Sequence, residues 1–478
     1  MTEDTNLFAA RRLGFGLRLG EDLPVSPRDW AMEQIRAIPK LDFYDVGGQP
    51  LASLPADAAL TDYAQSCLRF GEENSAEEDI LKTHGDDEDF WKVFAKYWEI
   101  PHWGVAMAAT LSAINGPGPV FERFWQFWCN HFTASTSTGH GKTLIGAHVQ
   151  TIRAAMTGSF ETMLQDAVVN PATIYYLDAV YSAGPHSRAG KTFSLNENLG
   201  RELLELYSVS PAAGYTQADV VETALMLTGW AFTSGPKHKS SAVYFPGAQP
   251  GRVFFKDYHE PGKRVVMGKT YAADDKKGGQ IFALIKDLAS HPSTAKFIAT
   301  KLAIAFIADQ PPQESVDRIA AAFTASNGDL VTIHSAVIDE VLSVGPNFTK
   351  FTKPSAWLQQ AHRTLGTMPT IQPPSAQHLS NGLSALYKDL GEVFGGPPQP
   401  NGWPDTEADW LSQANLDRRM RHANAISSSL KPTVADDLTK YVERLAGAGS
   451  PLAVACANSG VVHDIAVMML VSPQFLRT

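Results

Sequence analysis

The side chains best suited to acid–base chemistry are concentrated in one stretch, SLNENLGRELLELYS at residues 194–208. Helical spacing places four leucines on one buried face of this stretch, namely Leu195, Leu199, Leu203 and Leu206. Asn198, Glu202 and Glu205 form a polar row beside that face, and Glu202 lies closest to it. Partial burial raises the pKa of a carboxyl group, so Glu202 is a candidate general acid and the other two are candidate substrate-binding residues. The structural alternative is an ion pair between Glu202 and a basic side chain of a neighbouring helix.

The start of this helix is predicted from its first residues. Ser194 and Glu197 have the spacing of a capping box, which predicts a helix that begins at Ser194 and gives Glu197 a structural role. Arg201 is expected to turn away from Glu202 and to pair with Glu197, four residues earlier.

A second group of titratable side chains lies just before a turn. Asp257, His259 and Glu260 precede Pro261 and Gly262 within KDYHEPGKRVVMGKTY, residues 256–271. Loops that present such groups often carry function, so all three are candidate catalytic residues, with Asp257 or Glu260 as the carboxylate partner of Glu202. Histidine and carboxylates also suit divalent metals, but the spacing matches no defined ligand motif, and we predict neither a metal nor a cofactor.

An aromatic helix is predicted over FERFWQFWCNHFTAST, residues 121–136. Its apolar face comprises Phe121, Phe124, Trp125, Trp128 and Phe132. His131 lies at the edge of this face and is a candidate acid or base. The alternative is a core histidine that donates to a backbone carbonyl. We expect this helix to pack near the helix at 194–208, because each has an apolar face flanked by polar groups that need partners.

Ten tryptophans give the sequence an unusual supply of flat aromatic surfaces. Trp128, Trp230 and Trp403 are candidate sugar-stacking residues, and Asp405 follows Trp403 in the stiff loop NGWPD. The alternatives are that the large rings fill the core and that Trp403 closes a gap between subdomains.

The elements that position these residues are predicted to be mostly helices in a multi-helical globular body. We divide the chain into an N-terminal helical region at 1–115 with an acidic insertion at 72–90, a central helical core at 116–365, and a C-terminal helical region at 366–478 with a Pro/Gly-rich loop at 394–405. Three short runs predict strands, and hence a small hairpin or sheet near 242–267: Ala242–Phe245, Val253–Phe255 and Val265–Met267.

Composition limits the classes of partner. The 478 residues are 44% hydrophobic and carry a net charge of −10, which is typical of a globular protein and argues against nucleic acid as a partner. No apolar run approaches the roughly 18 residues of a membrane helix. The acidic N-terminus lacks the features of a secretory signal, so we expect a cytoplasmic location provided that no leader precedes it. Three widely spaced cysteines exclude a disulfide framework.

Seven motifs together resemble the bacterial domain-of-unknown-function family numbered eighteen hundred. They are RRLGFG at 11–16, FWQFWCNHFTAS at 124–135, LNENLGRELLEL at 195–206, GYTQADVVETALMLTGW at 214–230, DYHEPG at 257–262, HPSTAKFIATKL at 291–302 and NGWPD at 401–405. The resemblance covers nearly the whole chain and implies no catalytic residues. It does imply genes that neighbour a second uncharacterised family similar to sulfatases and alkaline phosphatases. Cys129 and Tyr207 stand where relatives are expected to have histidine, so neither should be indispensable.

Two functions fit these observations. The first is a carbohydrate-active enzyme, a glycoside hydrolase or lyase that applies carboxyl acid–base chemistry to a poly- or oligosaccharide. The second is a non-catalytic binding or assembly protein that works with an enzyme encoded nearby, in which the charged motifs are ion pairs and the tryptophans are interface anchors. A pocket that holds Glu202, His131 and His259 together would favour the enzyme.

Overall fold

The computed structural model describes residues 4–22, 24–50, 100–135, 141–232, 242–244, 252–274, 277–347, 349–369 and 383–478. The acidic insertion predicted at 72–90 lies outside the described residues. Within the described ranges the protein is mainly helical with two small antiparallel sheets, which confirms the predicted fold class.

Two capped helices begin the described chain. The side chain of Asp4 accepts a hydrogen bond from the backbone N–H of Asn6 at 2.8 Å, and Ser26 caps a helix that has Pro27 in its first turn. These helices are α1 (Thr5–Leu13) and α2 (Pro27–Arg36).

The next group of helices includes the predicted aromatic helix. The aromatic helix begins at Pro119, where proline is well suited to the first turn, and its phenylalanines and tryptophans are buried. The helices of this region are α3 (Ile100–Asn115), α4 (Pro119–His131), α5 (Gly141–Ala155), α6 (Phe160–Val168) and α7 (Pro171–Tyr176).

The helix predicted to begin at Ser194 begins instead at Asn198, so the capping-box prediction is wrong. The carbonyl of Ser194 accepts from the N–H of Ala183, and the N–H of Asn196 donates to the side chain of Ser182 at 3.0 Å. These tertiary bonds hold residues 194–196 against the loop at 182–183, and the side chain of Asn196 then accepts from the N–H of Asn198 at 2.8 Å. The element consists of α8 (Asn198–Glu202) followed by a π-helical turn (Leu203–Tyr207).

The small sheet region is confirmed, but it contains two sheets. A capped helix, α9 (Gln217–Leu227), leads into a three-stranded sheet of order β1-β3-β2, formed by β1 (Trp230–Phe232), β2 (Ala242–Tyr244) and β3 (Arg252–Phe255). A separate hairpin pairs β4 (Arg264–Val266) with β5 (Lys269–Tyr271). Its turn residues Met267 and Gly268 both have positive φ, as a two-residue hairpin turn requires, but Met-Gly is not a sequence typical of that turn.

Helices form the rest of the described chain. They are α10 (Gln280–Ala289), α11 (Pro292–Phe306), α12 (Gln313–Ala325), α13 (Leu330–Val344), α14 (Pro354–Leu365), α15 (Leu383–Leu390), α16 (Glu407–Trp410), α17 (Gln413–Ser427), α18 (Ala435–Ala446), α19 (Pro451–Ser459), α20 (Val462–Leu470) and α21 (Pro473–Leu476).

A hydrophobic cluster of buried residues extends from Leu7 in α1 to Leu476 in α21 and includes members of all three predicted regions. The large aromatic side chains of α4 lie within it. None of the helices in the described ranges is both long and apolar enough to cross a membrane.

Candidate functional site

Two carboxyl groups lie where α8 passes into the π-helical turn. Glu202 ends α8 and Glu205 lies within the turn, and both side chains are partly buried. Gly200 allows the close packing behind them, since a Cβ at this position would lie 2.8 Å from the backbone nitrogen of Ala224 in α9. Such π-turns occur often at functional sites, because they interrupt the regular spacing of side chains along a helix. We refer to Glu202 and Glu205 as the carboxyl pair.

The surroundings of the carboxyl pair favour a protonated Glu202. Burial and the nearby Glu205 carboxylate together raise the pKa of Glu202 to about 7, and Arg201 only partly opposes them. The hydroxyl of Tyr215 donates to Glu205 Oε2 at 3.3 Å. Tyr176 is also a neighbour, since burial and the charge of Glu202 raise its pKa to about 12. Near neutral pH, Glu202 can therefore hold a proton next to the carboxyl group of Glu205.

Arg201 pairs with Glu197 rather than with Glu202, which confirms the predicted orientation. Its Nη2 lies 3.3 Å from Glu197 Oε2 and 2.9 Å from the side-chain oxygen of Gln217. No ion pair ties Glu202 to a basic side chain among the described residues. Asn198, the third member of the predicted row, is exposed at the start of α8.

The two helices predicted to be neighbours do contact each other, through His131 and Tyr207. His131 Nε2 lies 3.3 Å from the backbone oxygen of Tyr207, and Lys301 Nζ lies 3.0 Å from His131 Nδ1. Burial and the charge of Lys301 hold the pKa of His131 well below its usual range. His131 is thus a neutral core histidine that donates to a carbonyl, the structural alternative considered for it, and both of its ring nitrogens are occupied.

Tyr207 connects His131 with the carboxyl pair. Burial raises the pKa of its hydroxyl well above the usual value, and the charge of Glu202 adds to this effect. The hydroxyl donates to the backbone oxygen of Thr133 at 3.3 Å. His131 and Glu202 therefore lie on the same side of the molecule, with Tyr207 next to both.

The loop with Asp257, His259 and Glu260 is held by contacts of its own. Glu260 is buried and accepts from the backbone N–H of His186 at 2.8 Å and from its Nδ1 at 2.6 Å. His259 Nδ1 lies 2.8 Å from the backbone oxygen of Thr228. These contacts do not support either residue as an accessible acid or base.

Asp257 is only partly exposed and faces Arg188 Nη1 at 3.5 Å. The carboxylate whose charge raises the pKa of Glu202 is that of Glu205, and neither Asp257 nor Glu260 is among the groups that shift this pKa. Within the described ranges, no three histidine, cysteine or acidic side chains come close enough to hold a metal ion.

Trp128 and Trp230 are core residues. Both are at most 1% exposed, and their indole N–H groups donate to His334 Nε2 at 2.9 Å and to the backbone oxygen of Gly278 at 3.2 Å. Neither ring face is free for a ligand, which contradicts the interpretation that these two residues stack on sugars. The sequence alone could not tell buried tryptophans from exposed ones, because both occur at positions that fit the helical spacing of apolar residues.

Trp403 lies partly buried in a tightly held loop. Asn130 in α4 accepts from its backbone N–H and donates to its carbonyl, each at 2.8 Å, and its indole N–H donates to the backbone oxygen of Val393 at 2.9 Å. Gly402 is required here, because a Cβ would lie 2.4 Å from the backbone oxygen of Asn130. This geometry agrees with the alternative in which Trp403 closes a gap between subdomains, since it joins Asn130 of the central region to the C-terminal region.

Asp405, two residues further on, is partly buried among cations. Burial alone would raise its pKa, but Lys353, Lys350, Lys301 and Arg123 together lower it. Its carboxylate lies 3.4 Å from Lys353 Nζ. Asp405 therefore belongs to a charged cluster that is separate from the carboxyl pair.

Sequence reasoning missed three residues near these groups: Tyr176, Tyr215 and Lys301. Tyr215 lies in the motif at 214–230 and Lys301 in the motif at 291–302, which marked their segments but not their roles. Tyr176 carries no signal in the sequence, since nothing in its own segment places it next to Glu202.

The family model described as "Protein of unknown function (DUF1800)" matches residues 8–477 of the chain. No curated protein matches the chain, and no solved structure matches it.

Proposed function

Since the chain belongs to the DUF1800 family of proteins of unknown function, its activity must be argued from its own residues, and we propose that it is a carbohydrate-active enzyme. The reaction is hydrolysis or elimination at a glycosidic bond of a poly- or oligosaccharide. The observation that carries the proposal is the carboxyl pair, in which a half-buried Glu202 with a raised pKa adjoins a second carboxyl that no cation neutralises among the described residues.

The roles of the two carboxyls follow from their surroundings. Glu202 holds a proton near neutral pH and donates it to the glycosidic oxygen as the C–O bond breaks. Glu205, which accepts a hydrogen bond from Tyr215, acts as the base. In hydrolysis it takes a proton from the attacking water, and in elimination it takes a proton from a sugar carbon. The partly exposed rings of Tyr176 and Tyr215 are surfaces on which a sugar could pack.

The test is a screen of poly- and oligosaccharides, read both as new reducing ends and as the ultraviolet absorbance of unsaturated products. Glu202→Gln keeps the shape of the side chain and removes the acid, and Glu205→Gln removes the base. Each should lower kcat by about 100-fold or more without unfolding the protein. Glu314→Gln is the matched control, since the side chain of Glu314 is 88% exposed in α12. Full activity in Glu202→Gln would refute the assignment.

The pH profile gives a second test of the same assignment. Since the pKa of Glu202 is about 7, activity should decline as pH rises above that value, because the acid then loses its proton. Activity that continues to rise up to pH 9 would exclude Glu202 as the general acid.

The alternative function is a non-catalytic binding or assembly protein that works with an enzyme encoded by a neighbouring gene. The observation that favours it is that His131 and Glu260 satisfy their polar groups within the fold. Trp128 and Trp230 are core residues, so they are not the interface anchors of this alternative. Saturable binding of a saccharide without turnover, unchanged by Glu202→Gln, would support this alternative.

A further inference from the structure

A cleft beside α4, here called the Arg123 cleft, lies among charged side chains outside the carboxyl pair. It has about 340 Å³ of empty space, part of it open to solvent. Its polar lining consists of Arg123, Gln126, Asn130, Lys353 and Asp405, and its apolar walls are Phe127, Ala305, Phe306 and Ala356. Arg123, Gln126 and Asn130 are spaced i, i+3 and i+7, so they form one polar stripe on a helix whose other faces are in the core.

Most charges around this cleft are paired. Lys350 Nζ lies 2.5 Å from Asp309, and Lys353 Nζ lies 3.2 Å from Glu392 and 3.4 Å from Asp405. Glu392 also accepts from the backbone N–H of Ser355 at 2.7 Å. These pairs satisfy the buried lysines, because each carboxylate offsets part of the cost of their desolvation.

Arg123 is the exception. Among the described residues its guanidinium has no ion pair and no hydrogen-bond acceptor, and it is held between the rings of Phe15 and Phe306 at 5.6 and 6.0 Å. Burial lowers its pKa, while the more distant Asp405 and Glu392 oppose this effect. Arg123 is only partly buried, so the five N–H donors of its planar guanidinium can be reached by an acceptor that enters the cleft from solvent.

Gln126, one turn along the same stripe, repeats the pattern. Its Nε2 is buried and makes no hydrogen bond within the described part of the chain. The third residue of the stripe, Asn130, is different, since Trp403 uses both its amide oxygen and its amide nitrogen. Two neighbouring donors that line the same cleft are thus free for an acceptor that comes from outside the fold.

We propose that the Arg123 cleft binds the carboxylate group of a small organic acid. The guanidinium of Arg123 donates hydrogen bonds to both carboxylate oxygens, and the amide of Gln126 donates a further one. The apolar part of the ligand packs against Phe127 and Phe306. Four cationic side chains act on Asp405 at this cleft, namely Arg123, Lys301, Lys350 and Lys353, and they favour an anionic ligand.

The experiment is calorimetric titration of the full chain with sodium benzoate and sodium acetate, against sodium chloride at equal ionic strength. Benzoate should bind saturably and more tightly than acetate, because its ring adds apolar contact. Arg123→Gln should weaken benzoate binding by about 10- to 100-fold, and Gln126→Leu by about 3- to 10-fold. Arg421→Gln is the matched control, since Arg421 is 58% exposed and lies in α17.

The outcomes separate the alternatives. Equal binding of benzoate by the wild type and by Arg123→Gln, or a response no greater than that to chloride, overturns the proposal. Arg123-dependent binding of inorganic phosphate or sulfate without binding of either carboxylate also overturns it. If Arg123→Gln fails to fold, Gln126→Leu still decides the result. The assay measures binding and not turnover, so its outcome does not depend on Glu202.

Discussion

At Glu202, burial and the neighbouring Glu205 both disfavour the carboxylate form. The folded protein therefore holds a proton at this position at pH values where the unfolded chain has released it. The pKa is about 7 in the folded protein against 4.5 for an ordinary glutamate, so the free energy of unfolding loses a contribution as pH rises from 4.5 to 7. The environment that raises the pKa of Glu202, as the proposed acid role requires, thus also lowers the stability of the folded protein at high pH.

Glu202→Gln should consequently be stabilising at high pH. We expect it to have nearly the wild-type free energy of unfolding at pH 4.5 and to exceed it by roughly 1–2 kcal/mol at pH 8, a value reduced for the solvent exposure of the side chain. Urea unfolding at the two pH values measures the difference. A variant that is equally destabilised at both pH values would show that the carboxyl group is needed for folding.

Between α4 and α5, a buried ion pair joins the two helices. Arg153 Nη1 donates to Glu122 Oε2 at 2.9 Å, and both side chains are at most 3% exposed. Burial raises the pKa of Glu122, while Arg153 opposes that shift. The guanidinium also lies 4.7 Å from the ring centres of Phe121 and Trp125. The pair therefore positions α5 against the aromatic face of α4.

Breaking this pair should be strongly destabilising. Arg153→Met leaves the Glu122 carboxylate buried without its partner, and we expect a loss of about 3–5 kcal/mol in the free energy of unfolding. Thermal and urea denaturation measure it. The double variant Arg153→Met/Glu122→Leu should recover much of the loss, since no unpaired charge remains.

The matched control is Arg28→Met. Arg28 bonds Asp339 through two nitrogens in a similar way, but the two side chains are 47% and 48% exposed. Loss of the Arg28–Asp339 ion pair should lower the free energy of unfolding by less than about 1 kcal/mol. Equal effects at Arg28 and Arg153 would show that burial is not the source of the coupling.

Over the whole molecule, two arginines of α1 join the first described helix to the last. Arg11 Nη2 donates to the backbone oxygens of Gln474 at 2.8 Å, Phe475 at 3.1 Å and Arg477 at 2.8 Å. Arg12 donates to the backbone oxygens of Phe306, Ile307 and Thr478. The motif RRLGFG thus has a structural role, because its arginines satisfy carbonyls at the end of the described chain.

Arg11→Met should lower the midpoint of urea unfolding by removing donors from several buried or partly buried carbonyls, at a cost of about 2–4 kcal/mol. Arg36→Met, at an exposed position in α2, serves as the control and should be nearly neutral. An unchanged midpoint in Arg11→Met would show that α1 and α21 are joined mainly by apolar packing.

The sequence by itself determined the local features of this protein. The period of phenylalanines and tryptophans predicted the buried face of α4, the scarcity of strand patterns predicted a mainly helical fold, and the spacing of Glu197 and Arg201 predicted their ion pair. Each of these depends on residues within a few turns of one another, where the geometry of a helix fixes which side chains share a face.

Only the tertiary structure decided which groups meet across the chain and which are removed from water. Hydrogen bonds from the loop at 182–183 hold residues 194–196, so α8 begins at Asn198. Complete burial leaves Trp128 and Trp230 inaccessible to a ligand. The closeness of Arg123 to Lys353 and Asp405 joins positions more than 200 residues apart in the sequence. Desolvation, which is the largest cause of the raised pKa of Glu202, is set by packing from several elements, and no spacing within one segment encodes it.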